Sequence, residues 1–416
     1  MKNWVRKKIA EISTVFEDGD WIESKDQSTD GIRLIQTGNV GNGIFKDRGE
    51  KARYISEATF KRLRCTEIFE GDCLVSRLPD PIGRACILPD TGEKMITAVD
   101  CTIIRFDNKQ IIPNWFLYYS LSNEYQNEIQ KQVTGATRQR ISRKNLGLVS
   151  VPVAPLPEQQ RIVSILDECF AAIDKAKATA EQNLKNVKEL FESYLQGVFE
   201  KKGDGWEEKS LKELTIKIGS GATPRGGQES YKSEGISLVR SMNVHDWEFR
   251  DKNLAFIDEK QAKELENVTL LQDDVLLNIT GASVARCCVF PKEYLPARVN
   301  QHVSIIRPKK EILDARFLNL LLTSKPYKDQ LLFTGEQGAT RQAITKAQIE
   351  SFKISIPKLK QQQIIVRQLD TLKAESKKLE VVYQKKIISL EELKKSILQK
   401  AFAGELKVSE SQMVTD

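Results

Sequence analysis

"GATRQRISRKNLGLVSVPVAPLPEQQRIVSILD", residues 135–167, lies without a gap on "GATRQAITKAQIESFKISIPKLKQQQIIVRQLD", residues 338–370, at a constant shift of 203 and with 13 of 33 positions identical. A match that runs through loop-like, strand-like and helix-like sequence marks a tandem duplication, so the architecture is two copies of one plan. Upstream of the match, "IRLIQ", "CLVSR", "RACIL" and "CTIIRF" read as strands, and "NWFLYYSLSNEYQNEIQKQ" after Pro113 reads as helix. The second copy repeats the order with "ISLVR", "VLLNIT", "RCCVF" and "VSIIR", then a helical "ARFLNLLLTS". "IGRACILP" matches "VARCCVFP", which sets Arg84 over Arg286, Cys86 over Cys288 and Pro89 over Pro291, whereas the loops between strands do not match. Kept strands with diverging loops are what two related binding domains with different targets look like.

Downstream of the match each copy enters an unbroken heptad-like stretch. Apolar or small residues fall at Ile162, Leu166, Cys169, Ile173, Ala176, Ala180, Leu184, Val187, Phe191, Tyr194 and Val198. Shifted by 203, the same template gives Ile365, Leu369, Leu372, Ser376, Leu379, Tyr383, Ile387, Leu390, Lys394, Ile397 and Ala401, with Ser376 and Lys394 as polar misfits. No proline follows Pro157 within either stretch, which predicts two helices of about 44 residues, roughly 65 Å each. A narrow apolar seam that long needs an equally long partner. The other copy supplies one of matched length and phase, and a second chain is the alternative. The charged, glycine-bearing "EKKGDGWEEK" at 200–209 ends the first helix. With a whole domain between the helices, they are expected to run antiparallel. The fold class expected is α+β: two globular mixed α/β domains separated by two long antiparallel coiled-coil helices, with an internal pseudo-twofold repeat. The divisions fall at 1–156, 157–202, 203–358, 359–405 and a tail of 406–416.

The chain of 416 residues carries 64 basic and 57 acidic side chains, a net charge of +7 that is compatible with a nucleic-acid partner and shared by many proteins without one. No run approaches the roughly 18 to 20 apolar residues of a membrane span, and "MKNWVRKKIAEI" lacks the apolar core of a signal peptide, so the expected compartment is the cytoplasm. Seven scattered cysteines without a C-x-x-C pair fit that compartment and read as buried apolar residues. His245 and His302 are the only histidines, which removes most zinc sites and His-based triads. "GSGATPRGG" at 219–227 lacks the G-K-[S/T] ending of a phosphate loop. The chain has no Asn-Pro-Pro-Tyr or Asp-Pro-Pro-Tyr segment such as an amino-methyltransferase needs around a flipped base. Asp72, Asp273 and Asp274 precede strands and read as turn residues. No cofactor, metal site or catalytic set is expected. Two alternatives stay open: an assembly scaffold that binds no nucleic acid, and a nuclease or methyltransferase with unrecognised motifs.

"GSGATPRGGQESYKSEGISLVRSMNV", "VPVAPLPEQQRIVSILD" and "SILQKAFAGEL" together resemble the DNA-specificity subunit of type I restriction-modification systems, over nearly the whole chain. The first copy departs from that pattern at residues 18–30, which hold no Gly-Ser-Gly-x-Thr-Pro, and the second copy's junction reads "KLKQQQ" where the first has "PLPEQQ". The resemblance implies a subunit without catalysis, whose two target-recognition domains each read half of a split double-stranded DNA site. Its helices set the gap and dock two modification (methyltransferase) subunits, and restriction subunits join further. It also suggests that the repeated pentapeptide belongs to a scaffold joining domain to spacer.

Base edges are read by Arg, Lys, Asn and Gln on projecting elements, so the candidates for DNA contact lie at strand ends. They are Arg33, Gln36, Asn39, Arg77 and Arg84 in the first copy, and Arg225, Arg240, Asn243, Asn278, Arg286 and Asn300 in the second. Arg84 and Arg286 occupy equivalent places, which argues for phosphate contact, because readers of different sequences should agree at backbone-holding positions. Arg138 and Arg341 of the pentapeptide carry the same logic, with a loop-fixing salt bridge as the alternative.

Overall fold

A computed structural model describes residues 4–135, 139–336 and 343–406. The chain divides into two compact units, one of residues 1–180 with 385–416 and one of 181–384. Each therefore holds a globular portion and a piece of both long helices.

The first unit contains β1 (Val5–Lys8), β2 (Ser13–Asp18), β3 (Ile32–Ile35), β4 (Tyr54–Ile55), β5 (Cys73–Ser76), β6 (Ala85–Ile87), β7 (Met95–Thr97), β8 (Cys101–Phe106) and β9 (Ser150–Val153). The second contains β10 (Glu207–Ser210), β11 (Thr215–Ser220), β12 (Ile236–Val239), β13 (Val244–His245), β14 (Glu248–Phe249), β15 (Ala255–Ile257), β16 (Val275–Asn278), β17 (Cys287–Val289), β18 (Ala297–Val299), β19 (Val303–Pro308) and β20 (Lys353–Ile356). A four-stranded sheet in the order β2-β8-β5-β6 recurs as β11-β19-β16-β17, and a three-stranded sheet β4-β3-β7 recurs as β15-β12-β18. The duplication reaches single residues. β2 breaks register between Ser13 and Val15 and β11 between Thr215 and Lys217, a bulge kept in both copies. Asp72 and Asp274, buried at the mouths of β5 and β16, each take a two-pronged bond from an arginine of the neighbouring strand, Arg105 at 2.7 and 2.7 Å and Arg307 at 2.7 and 2.8 Å. Their carboxylates hold the sheets together.

The long helices run from Leu156 to Lys201 and from Leu359 to Phe402. Each begins on a glutamine that the sequence reading passed over. Buried Gln159 accepts from the amide of Ile112 at 2.9 Å and donates to the carbonyls of Gln110 and Ala154 at 2.9 and 2.7 Å. Gln362 repeats this with the amide of Asp314 at 2.9 Å and the carbonyls of Ile312 and Pro357 at 2.9 and 2.8 Å. An amide can serve both roles at once, which neither a carboxylate nor a lysine can. This is a physical reason for glutamine at both places in "PEQQ" and "KQQQ".

Within the first unit Lys394 lies 2.9 and 3.0 Å from the Asp174 carboxylate oxygens, and Lys177 lies 2.6 Å from Glu391, so the paired segments are antiparallel there. Lys394 also sits 4.5 Å over the Phe170 ring, which accounts for one polar misfit. The other, Ser376, is buried with its hydroxyl unpartnered among the described residues. Along the seam Ile162, Leu166, Ile173, Val187, Ile365, Leu369 and Ile387 are buried, and Leu184, Leu372 and Leu390 are half-buried. Two expected members face outward, Tyr194 at 43% exposure and Leu379 at 42%. Leu195 beside Tyr194 is buried and Glu380 beside Leu379 is half-buried, because a helix of 3.6 residues per turn drifts against a 3.5 repeat and the steps of three and four change order. Near the end of the first helix Leu195 and Phe199 instead join the second unit's core with Leu211 and Phe317.

Candidate nucleic-acid interface

In each unit three loops are tied together at equivalent strand ends. After β3 and β12 the chain turns about an asparagine. Asn39 accepts from the amide of Gln36 at 3.0 Å and donates to the carbonyl of Lys46 at 3.0 Å. Asn243 accepts from the amide of Arg240 at 3.1 Å and donates to the carbonyl of Arg250 at 2.8 Å. A short side chain that mimics backbone is what such a turn requires. After β5 and β16 the amides of Ser76 and Asn278 donate to the carbonyls of Arg84 and Arg286, both at 2.9 Å. The amide of Arg77 donates to Asp100 and that of Ile279 to His302, at 2.9 and 3.0 Å, bringing in the loop before β8 and the loop before β19. Gly19 and Gly221 close the cluster. A side chain on Gly19 would stand 2.4 Å from the Ala98 carbonyl oxygen, and one on Gly221 would stand 1.7 Å from that of Val299. Part of the glycine cluster at 219–227 thus exists for close backbone approach.

The flanks of the repeated pentapeptide are bonded to this same edge. Ile141 donates to the carbonyl of Arg77 at 3.2 Å and Ile344 to that of Ile279 at 2.8 Å. Arg138 and Arg341 themselves lie outside the described residues.

Most candidates named from sequence are spent on holding these loops. Arg84 is the clearest case. It is buried, and its guanidinium donates to the carbonyls of Val40 at 2.7 Å, Leu78 at 2.8 Å, Thr37 at 2.9 Å and Pro81 at 3.2 Å. Burial draws its pKa down, and four of its five N–H groups are taken by carbonyls. Arg33 is buried between Asp47 and Glu93, and Arg77 between the Val99 carbonyl at 2.6 Å and Asp18. Asn39, Asn243, Asn278 and Asn300 are all buried. Asn278 donates to the carbonyl of Ser241 at 2.8 Å, and Asn300 accepts from the amide of His302 at 3.0 Å. These residues shape the loops through buried side chains.

What faces solvent is a smaller set. In the second unit Arg286 keeps a guanidinium without a hydrogen bond or ion pair among the described residues, in a recess of about 410 Å³ shared with Ser241, Met242, Thr280, Ser283 and His302. Arg240 is half-exposed over the Tyr231 ring at 5.4 Å, and Arg225 is exposed. In the first unit Gln36 and Asn39 border a recess of about 360 Å³ with Arg48, Lys51 and Arg53. These three cations are exposed and form no ion pair with described residues. They went unnamed in the sequence reading, although "KDRGEKAR" at 46–53 carries four cations in eight residues, a density that marks an electrostatic footprint.

The family described as "Type I restriction modification DNA specificity domain" matches residues 1–186 and again residues 203–387. The chain belongs to that family, as a type I specificity subunit, the non-catalytic DNA-recognition component of such systems. It is similar to the StySPI specificity subunit of Salmonella potsdam, 24% identical over 319 residues that cover 74% of this chain and 68% of that one. It is also similar to the putative MjaX specificity subunit of Methanocaldococcus jannaschii, 25% identical over 431 residues covering 98% and 94%. In fold it matches the HsdS subunit from Thermoanaerobacter tengcongensis, with a TM-score of 0.64 at 18% identity and 97% of both chains covered. A second chain, from work on complex assembly and conformational transition of the type I R-M system, gives a TM-score of 0.71 at 19% identity over 97% of this chain and 98% of that one. No described helix is long and apolar enough to cross a membrane.

Proposed function

We propose that each unit reads one half of a bipartite, asymmetric DNA site through its loop cluster, and that the long helices recruit two modification subunits, with restriction subunits joining the complex. The observation that carries this is the contrast within the repeat: the bonds that fix the three loops match between units, while the solvent-facing side chains do not. Gln36 stands where the second unit has Arg240, and Arg48, Lys51 and Arg53 stand beside it in the first unit. Arg286 lies in a second-unit recess whose first-unit counterpart, Arg84, is turned inward. A shared frame with private contacts is what two readers of different bases need. In the first unit Arg48, Lys51 and Arg53 are the phosphate-holding group, and in the second Arg225 and Arg286. Gln36 and Arg240, at matching places in the turn, are the base-reading candidates.

The test exchanges residues 206–337 for the equivalent block of a relative, expresses the chain with its modification subunits, and sequences methylated sites. One half of the split motif should change while the other half and the gap persist. A change in both halves together, or methylation indifferent to the chain, would overturn the reading.

A further inference from the structure

Duplication leaves the two long helices with much of the same apolar layer, interrupted in the second by Ser376 and Lys394. Leu166 recurs as Leu369, Leu195 as Leu398 and Phe199 as Phe402, all buried. Apolar packing alone therefore gives the first helix little reason to choose the second helix over the first helix of another copy. The charged layer differs. The shift of 203 carries Asp174 onto Lys377, Lys177 onto Glu380, Glu391 onto Lys188 and Lys394 onto Phe191. In the first unit the pairing of unlike helices joins Asp174 to Lys394 and Lys177 to Glu391. The same geometry applied to two first helices would set Lys177 against Lys188. Applied to two second helices, it would set Lys377 against Lys394 and Glu380 against Glu391. Each like-with-like helix pairing thus brings like charges together, and between two first helices Asp174 also loses its partner to Phe191.

We infer that this charge register selects the pairing of the first long helix with the second and excludes association of either helix with its counterpart in another copy of the chain. The interaction surface is the flank of the seam, and the partner it fits is the chain's own other helix. The ion pairs are surface pairs of modest individual strength, and exclusion arises because the alternatives convert attraction to repulsion at several places.

The test is a charge exchange in the full chain. The variant Asp174→Lys, Lys177→Glu, Glu391→Lys, Lys394→Asp keeps both ion pairs of the first unit with their polarity reversed. In a like-with-like dimer the same four changes make every one of the like-charge encounters named above an encounter of opposite charges. Light scattering over a dilution series should find the parent at its 47.2 kDa monomer mass and the variant increasingly dimeric, its dimerisation constant raised by about tenfold or more. Adding Lys188→Glu, Lys377→Glu and Glu380→Lys sets like against like again and should return the monomer. If these ion pairs only stabilise the fold, the four-fold variant stays monomeric like the parent, and the inference fails. It fails equally if the parent dimerises through its first helices, mapped by a photo-crosslinker at Glu181, or if the seven-fold variant remains a dimer.

Discussion

Replacing Asn243 with alanine separates a turn-holding role from a base-reading one. The side chain is fully buried, accepts from the Arg240 amide at 3.1 Å and donates to the Arg250 carbonyl at 2.8 Å. Alanine removes these bonds and a longer one to the Lys252 carbonyl at 3.4 Å, and leaves the Arg240 amide and the Arg250 carbonyl without their side-chain partner. Each orphaned buried group costs about 1–3 kcal/mol. The Arg240 amide lies toward the half-exposed end of the turn, where water relieves it, so the sum expected for the second unit is about 3 kcal/mol. Aspartate at 243 should do no better, since it keeps the acceptor and places a second acceptor against the Arg250 carbonyl. Urea unfolding followed by tryptophan fluorescence gives the measurement, with Trp206 and Trp247 in the second unit and Trp4, Trp21 and Trp115 in the first. The early transition should belong to the second unit, and Asn39→Ala should move the first unit instead. An Asn243→Ala chain that unfolds within about 0.5 kcal/mol of its parent, yet loses affinity for DNA, would show that Asn243 reads bases and that the hydrogen-bond account of the turn is wrong.

Arg84→Ala should cost the first unit about 2–4 kcal/mol by orphaning buried carbonyls, whereas Arg286→Ala should leave stability unchanged and reduce the slope of log K against log salt for DNA by about one. Salt titrations and unfolding curves on the two variants check this, and equal behaviour would contradict it. A proline at Ile387, within the second long helix, should cost about 3 kcal/mol and abolish co-purification with modification subunits; intact complex formation would argue against the helices as the docking element. Burial raises the Asp20 carboxyl to about 6, above its usual range, despite the Thr66 amide that favours its charged form. A carboxyl whose folded pKa exceeds its unfolded value stabilises fully below about pH 4, and that stabilisation is lost as pH rises through about 6. Asp20→Asn should therefore match its parent near pH 4 and exceed it at pH 8 by about 1 kcal/mol, after allowance for the carboxyl's partial exposure. An equal gain at both pH values would remove the electrostatic explanation.

The parts of the fold readable in the sequence were those that act through periodicity or repetition. The gapless match exposed the duplication and the start of both helices, and the strands upstream followed in the same order at nearly the same offset. The phase of the seam was less readable, since nothing in the letters says whether Leu379 or Glu380 turns inward once drift accumulates. Contact residues were the least readable. Arginine and asparagine at strand ends suit a nucleic acid and equally suit carbonyls inside a turn, and only the path of the chain decides between them. Arg84 and Arg286 stand at equivalent positions, yet one is enclosed by four carbonyls and the other opens to solvent. Equivalence in the repeat therefore did not carry equivalence of surroundings. Gln159 and Gln362 could have been found from the alignment itself, as polar identities at the start of an otherwise apolar helix face.

The first unit is assembled from residues on both sides of the second. Trp115 stacks edge-on with Trp4 at 5.2 Å and with Phe402 at 5.0 Å, and Phe402 also meets Tyr119 at 5.3 Å. A ribosome delivers Trp4 and Trp115 early and Phe402 only after every residue of 181–384 has emerged. Throughout that interval the first unit holds an uncovered aromatic face, a mark that chaperones and proteases recognise. A message cut short within the second unit would yield a chain that never covers it. Vectorial synthesis thus makes the sealing of the first reader conditional on the second having been made, so that half-length products are exposed to degradation.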